Sequence, residues 1–482
     1  MYNKSRGKKM GSEISNRDFS EEDYDNFWKA YKREIAYINK LFEQGGAIFS
    51  NEYRVGYELE ACILDHSNVP NPINKKILST INSPLFTHEL ANYDLEINGN
   101  IFKIDADALE NLESDMFSLW DKAKKASQKH NANLGLFGVL PSLEFKHFNK
   151  DLFQSDMHRY TLFSQRLREL REEPVKLLFH GKDEVALEKD DVMLEALGTS
   201  LQIHLQIPFD KAVEYYHASL IASVVLVGFG ANSPLVLGKR AWHESRIPIF
   251  EQSVDTRAKK RRDNGDEKRV HFAHDYIDSW LDLLEQNDAF KIIFADVRDT
   301  LPNKLHHFNL HNGTIWRWIR PILGEDSDGK HTLRLELRVL PAGPTLIDTH
   351  TNIWFFIGLV HGLVISNMNL QKIPFQMLKN DFYTVAKQGL EAEFHEPQDA
   401  QKVALKDWIL QEGIALCKKG LDTFGVEHTR KYLDIIKQRT LTTQTGAAWQ
   451  LKHYEKYHSI KKLMEDYMKN SDKNIPIHEW EL

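Results

Sequence analysis

Leu333-Arg334-Leu335-Glu336-Leu337-Arg338-Val339 alternates apolar and charged residues without a break. Successive side chains on a β-strand point to opposite faces, so this stretch reads as a strand that hides Leu333, Leu335, Leu337 and Val339 and lays Arg334, Glu336 and Arg338 on a polar face. Three upstream segments repeat the pattern. Tyr53 to Leu64 sets Tyr53, Val55, Tyr57, Leu59 and Ala61 against Arg54, Glu58 and Glu60. Tyr93 to Asn98 sets Tyr93, Leu95 and Ile97 against Asp94, Glu96 and Asn98. Thr199 to Ile207 sets Leu201, Ile203, Leu205 and Ile207 against Ser200, Gln202, His204 and Gln206.

Helical patterns surround these strands. Phe27, Tyr31, Ile35, Ile38 and Leu41 recur at helical spacing between Ser20 and Gln44, and Gly45-Gly46 ends the run. Further helices are expected over Leu109 to His130, His158 to Arg171 and Lys211 to Gly228. Trp354 to Ile365 reads as a buried helix, and the chain is helical from Ile347 onward, with an amphipathic region from about Lys379 to Lys469. No repeat or proline-rich linker divides the chain. The pattern is α+β, with an antiparallel sheet and helices outside it.

The bulk properties exclude several classes. The 482 residues are 42% hydrophobic and 27% charged, and no apolar run approaches the roughly 18 to 20 residues that span a bilayer. The polar, basic start has no apolar core, so residues 1–18 read as a disordered tail and not a signal peptide. Cys62 and Cys417 are the only cysteines and lack metal-type spacing; a reduced cytoplasm is the expected setting. The net charge of -7 gives no global attraction to nucleic acid. The run Lys259 to Arg262 reads as a solvated loop. His271 and His274 read as a plain helical face and not a zinc pair. Cys62 shares the polar phase of Glu58 and Glu60 and reads as a small buried thiol. Thr445 to Gln450 breaks a helical region: a helix–helix turn with a packed Trp449, or else a cover over the site.

A solvated sheet face would carry Thr, Ser and Lys. Here four strands display carboxylates, glutamines, one imidazole and arginines. If these faces line one cavity, each like-charge pair at 4 Å costs about 4 kcal/mol at an effective dielectric near 20 unless compensated. Divalent cations compensate it, and oxygen ligands with a single imidazole favour Mg²⁺ or Mn²⁺ over zinc. Magnesium commonly shares its shell with nucleotide phosphates, and guanidinium groups present parallel donors to phosphate oxygens, which points to ATP chemistry.

With these residues in place, the chain resembles the glutamate–cysteine ligase type 2 and carboxylate–amine ligase group of the glutamine synthetase fold. The likeness rests on Gly56-Tyr57-Glu58-Leu59-Glu60, Asp94-Leu95-Glu96-Ile97-Asn98 and Ser200 to Gln206. It continues through Ala231-Asn232-Ser233-Pro234 with Glu244-Ser245-Arg246, then His311-Asn312-Gly313-Thr314 with Arg317 and Arg320, and Arg334 to Val339 with Asp348. The matches run in order over about Tyr53 to Leu363. Gln202 and Gln206 flank His204 where some relatives carry other polar residues.

The resemblance implies a glutamine-synthetase-like curved antiparallel sheet lining the active site. Residues 19–375 would form the catalytic domain and 376–482 a helical C-terminal region packed on it. It implies that Glu58, Glu60, Glu96, His204 and Glu336 hold two or three Mg²⁺ ions, with Mn²⁺ an alternative, around the phosphates of ATP. Arg338 would contact the transferring phosphate or acyl-phosphate. Arg334, Arg317 and Arg320 would assist catalysis; Arg246, Gln202, Gln206 and Asn312 would help bind nucleotide or substrate. Arg317 and Arg320 lie in opposite strand phase, so both reach one site only across a bulge or bend.

The implied reaction activates a substrate carboxylate as an acyl-phosphate and passes it to an amine, with glutamate and cysteine or another amino acid as substrates and without nucleic acid or membrane. Homo-oligomerisation is left open. Two other readings stand beside it: a phosphotransferase of the guanidino-kinase type, and a non-catalytic relative that binds nucleotide or a partner.

Overall fold

The computed structural model describes residues 14, 15 and 17–482. Most of the expected disordered tail, residues 1–13 and 16, lies outside the described residues. The first helix, Glu21–Glu43, starts where Ser20 and Asp23 close a capping box, so the helix's first orphan N–H groups find acceptors. It ends at Gly45, whose φ of 71° suits glycine.

The strands, in chain order, are β1 (Arg54–Leu64), β2 (Phe86–His88), β3 (Asp94–Asn98), β4 (Phe102–Lys103), β5 (Asn133–Gly135), β6 (Val175–His180) and β7 (Glu184–Lys189). They continue with β8 (Ser200–Ile207), β9 (Leu235–Val236), β10 (Lys239–Arg240), β11 (Ile319–Glu325), β12 (His331–Pro341), β13 (Glu393–His395) and β14 (Lys402–Ala404). Eight form the central curled sheet, ordered β11-β12-β8-β1-β3-β2, with β4 and β5 also pairing β1; the others form separate hairpins. Every pairing in the central sheet is antiparallel.

The alternation seen in the sequence is realised as two unlike faces. Val55, Tyr57, Leu59, Leu95, Ile97, Leu201, Ile203, Leu205, Leu335 and Leu337 are all buried. They face the core, where each buried aliphatic side chain contributes about 1.5–3 kcal/mol. The helices Ala212–Phe229 and Leu346–Ile365 cover this side. Both are buried almost throughout because sheet and outer helices enclose them, and the polar first turns of Leu346–Ile365 are met inside the protein, Asp348 by Arg439 at 2.6 Å. Contrary to the reading that no apolar run approaches membrane-spanning length, Phe209–Phe229 holds an 18-residue window long and apolar enough to cross a bilayer, yet 89% of that window is buried within the protein.

Beyond Phe375 the chain is mostly helical, interrupted by the β13–β14 hairpin. Its helix Ile414–Thr423 packs closely on Leu346–Ile365. Glycine permits this: a Cβ on Gly362 would lie 2.0 Å from the Leu416 carbonyl oxygen, and one on Gly420 2.1 Å from that of Gly358.

Two further expectations need correction. Lys259 to Arg262 is not a loop but a short helix, Lys259–Asp263, whose charges pair locally: Lys259 with Asp263 at 2.9 Å and Arg261 with Asp266 at 2.7 Å. His271 and His274 do not share a helical face, because the segment is irregular. His271 is buried with Nδ1 against the Lys268 carbonyl, while His274 faces Glu267.

Candidate active site

Strand register lays the polar face out in rows. One row crosses Arg320, Glu336, His204 and Gly56. On one side of it lies the row Arg334, Gln206, Arg54 and Lys103. On the other side come Gln202, Glu58 and Asn98, then Glu60, Glu96 and Thr87. Basic side chains thus gather at one end, where Glu52 pairs with Arg54 at 2.5 Å and lies 3.9 Å from Lys103, and acidic ones at the other.

Hydrogen bonds tie the rows together. Arg320 grips Glu336 bidentately, Nη2 at 2.6 Å and Nε at 3.0 Å, and Arg338 donates to both Glu336 and Gln202. His204 Nε2 lies 3.1 Å from Glu58 Oε1. Glu60 accepts from the Ser200 amide and hydroxyl, both at 2.7 Å, and from Gln202 at 3.3 Å. Glu96 accepts from Thr87 at 2.7 Å and Asn98 at 2.6 Å. Arg338 shares the polar phase of Arg334 and Glu336, and the β12–β8 register shifts beside it, between Leu337 and Leu340.

The electrostatics divide the carboxylates into two classes. Burial works against ionisation of Glu336, but Arg320 and Arg338 overcome it and hold the carboxyl well below the usual range. Burial likewise opposes the Glu58 charge, and His204 overcomes it. No guanidinium forks the others. Burial, reinforced by neighbouring carboxylates, pushes Glu96 and Glu195 each up to about 8 and Glu89 well above its ordinary value. Glu60 is also raised, chiefly by burial. Glu60, Glu89 and Glu96 each offer an oxygen within 4.8 Å of the others. Three converging carboxylates whose ionisation is opposed by burial and mutual repulsion could hold a hard divalent cation, whose charge would favour their ionised forms.

The expected residues fall into three groups. Glu58, Glu60, Glu96, His204, Glu336, Gln202, Arg320 and Arg338 converge on this face. Arg334 lies on the same face one row out, with no hydrogen-bond partner for its buried Nε. Gln206 is turned to Ser50 and the Glu52 carbonyl, and Arg246 lies against β12, bonded to the Arg338 and Val339 carbonyls and paired to Glu244 at 3.1 Å. Arg317 and Asn312 are elsewhere. Arg317 precedes β11, in the opposite phase to Arg320, and bonds Asn287 Oδ1 at 2.8 Å; Asn312 is held between Asn287 and the Pro321 carbonyl. The local backbone does not bend enough to bring Arg317 beside Arg320's carboxylate partner.

Sequence reading missed Glu89 and Glu195. Glu89 follows β2 and belongs to no alternating run, so periodicity could not flag it. Glu195 carried a usable signal, a single carboxylate inside the apolar Val192-Met193-Leu194-Glu195-Ala196-Leu197, since such a charge must be buried and compensated. Cys62 is buried as expected, opposite Asp94 in the β1–β3 register.

A family model for glutamate-cysteine ligase family 2 (GCS2) matches residues 54–465. The chain belongs to this family. It is therefore an ATP-dependent ligase that forms carbon–nitrogen bonds. Among solved structures, the GCS2 chain is similar to a glutamate–cysteine ligase from Francisella tularensis in complex with AMP. The identity is 14%, with 90% of each chain covered and a TM-score of 0.56. It is also similar to a bifunctional glutathione synthetase from Pasteurella multocida, at 12% identity and a TM-score of 0.51. That match covers 91% of this chain and 55% of the other. At these identities the likeness establishes a shared fold, glutamine-synthetase-like, as the sequence resemblance implies. No curated protein matches the sequence.

Proposed function

We propose that this ligase joins a substrate carboxylate to an amine through an acyl-phosphate, using Mg²⁺·ATP, with amino acids as substrates. The observation that carries the reading is the convergence on one sheet face of a Glu60–Glu89–Glu96 trio, a Glu58–His204 pair and the Arg320–Glu336–Arg338 cluster. The acidic residues would hold Mg²⁺, which supplies charge neutralisation at the phosphates when bound. Glu60, Glu89 and Glu96 fit one ion, and Glu58, His204 and Glu336 are the remaining donors.

In the first step a carboxylate oxygen of the acid attacks the γ-phosphorus; that O–P bond forms as the bond to the β-phosphate oxygen breaks, and ADP departs with the electron pair. Arg338, permanently charged and held by Glu336 and Gln202, would donate to the transferred phosphoryl oxygens. In the second step the amine nitrogen attacks the acyl carbon, the carbon–oxygen bond to phosphate breaks, and the amine loses a proton as the amide forms. Arg334, one row out, would offer a cation to an anionic group of nucleotide or substrate, while Glu52 already pairs with Arg54 and Lys103.

The test is Mg²⁺-dependent ADP release across a matrix of acids and amines, with mass spectrometry of the products, for wild type and Glu336→Ala. ADP and amide that appear only when acid and amine are both present, with a silent variant, support the proposal. ADP formed with one acceptor and a phosphorylated product would instead identify a phosphotransferase. ATP binding without turnover would identify a binding protein.

A further inference from the structure

The bulge beside Arg338 interrupts the β12–β8 ladder, and a buried carbonyl there needs a donor. Arg246 provides it: Nη1 donates to the Val339 carbonyl at 3.2 Å and Nη2 to the Arg338 carbonyl at 3.4 Å. A buried guanidinium needs a counter-charge, and Glu244, fully buried, gives one at 3.1 Å. Glu244 in turn accepts the Asn232 backbone N–H at 3.1 Å.

The Asn232 side chain is held by the Ala342 carbonyl, which accepts from Nδ2 at 2.9 Å, and from the C-terminal helices. Gln450 Nε2 donates to its Oδ1 at 2.8 Å, and its Nδ2 donates to the Tyr467 hydroxyl at 2.9 Å, while that hydroxyl donates to the Leu136 carbonyl at 2.6 Å. Gln450 and Asn232 are both 0% exposed, so neither has water as a substitute partner. Thr445 caps the helix Gly446–Tyr457 that carries Gln450, and Gly446 lets it approach: a Cβ there would lie 2.1 Å from Asn232 Oδ1.

We infer that Gln450 is a positioning residue for Arg338, acting through Asn232, Glu244 and Arg246 on the bulged backbone of β12. The inference rests on the proposed role of Arg338 at the transferring phosphate. Without the Gln450 donor, buried Asn232 Oδ1 keeps only the longer contact from the Tyr467 hydroxyl at 3.3 Å, whose proton is already engaged by the Leu136 carbonyl at 2.6 Å. Recovering a full donor requires the Tyr467 hydroxyl to leave the Leu136 carbonyl or Asn232 to turn, and a turn of Asn232 moves the residue whose N–H holds Glu244. Arg246 then loses its alignment, and the Arg338 carbonyl its anchor. The C-terminal region is thus coupled to the phosphate end of the site without touching a substrate.

A double-mutant cycle on the full chain tests this, measuring kcat and KM for ATP and amine in wild type, Gln450→Met, Arg338→Lys and the double variant. Gln450→Met should lower kcat about 5-fold or more with little change in amine KM, but lower it less than about 2-fold in the Arg338→Lys background, since coupled residues are not additive. Additive losses would overturn the inference, as would unchanged kcat in a folded Gln450→Met protein. If that variant does not fold, Tyr467→Phe, which removes only the hydroxyl on Asn232, takes its place with the same expectation. Unchanged kcat in Arg338→Lys, or a wild type with no turnover, would instead defeat the role given to Arg338 or the ligase mechanism, and the inference with it.

Discussion

Arg320 on β11 and Glu336 on β12 face each other directly across the strand pair and join through a bidentate ion pair that is at most 1% exposed at either side chain. The same carboxylate also takes Arg338. One anion thus balances two buried cations, and its removal leaves both uncompensated. Glu336→Gln is expected to cost about 3–5 kcal/mol of stability, the usual result of breaking a buried pair from one side. It should lower turnover by about 10²-fold or more, because Arg338 loses the group that aims it. Urea melts and ADP release measure the two effects; a folded variant with wild-type turnover would remove Glu336 from the site.

Legibility followed periodicity. The strands around Glu58, Glu96, His204 and Glu336 were readable because a period of two sorts side chains onto faces whatever the tertiary context. Register was not readable: nothing in the sequence says that His204 lies opposite Glu336 or Glu60 opposite Glu96, and only those pairings make one site of four strands. Arg317 and Arg320 show the limit within a single segment. Their opposite phase was visible, but which of them faces the carboxylates depends on where β11 begins. Glu89 was invisible because it lies at a strand end, where no alternation constrains it. Lys259 to Arg262 misled because its charges suggested a solvated loop, whereas pairing with Asp263, Asp266 and Glu173 supports a helical turn.

Glu89 is the most informative single residue for the metal reading. Its carboxyl closes the trio with Glu60 and Glu96, so Glu89→Gln removes one anionic ligand while keeping size and one oxygen. The Mg²⁺ concentration giving half-maximal ADP release should rise about 10-fold or more, comparable to the loss on removing groups that support a metal. Titration of activity with Mg²⁺ decides it. An unchanged Mg²⁺ requirement would place the ion elsewhere.

The pH dependence has a definite sign. Glu96 and Glu195, each pushed up to about 8 by burial and neighbouring carboxylates, ionise near 4.5 when unfolded. Between those values the folded protein binds more protons than the unfolded chain, so stability without divalent ions falls as pH rises from about 5 towards 8. Mg²⁺ favours the ionised trio and should reverse the slope. Thermal melts at pH 6 and pH 8.5, with and without Mg²⁺, test this. Calorimetry in buffers of different ionisation enthalpy should also record protons released on Mg²⁺ binding at pH 7. A melting temperature that rises with pH in the absence of divalent ions would contradict the account.

Gly362 sets two effects of opposite sign against each other. It lies within the helix Leu346–Ile365, where exchanging glycine for alanine ordinarily stabilises by about 1 kcal/mol. Here the added methyl would lie 2.0 Å from the Leu416 carbonyl oxygen and 2.6 Å from its carbon. These are backbone atoms of a packed helix, and no rotamer change can move them aside. The two helices must separate, and overpacking of this kind costs about 1–3 kcal/mol, occasionally more. The Gly358 position repeats the constraint, with Cys417 Sγ 2.6 Å from the site of a Cβ, so the interface has no adjacent slack to absorb the shift. Gly362→Ala is therefore expected to lower the urea midpoint with little change in the slope of the transition, since the native fold loses contacts without changing its extent. A raised midpoint would show that the helices are free to part and that the glycine is a matter of chain flexibility alone.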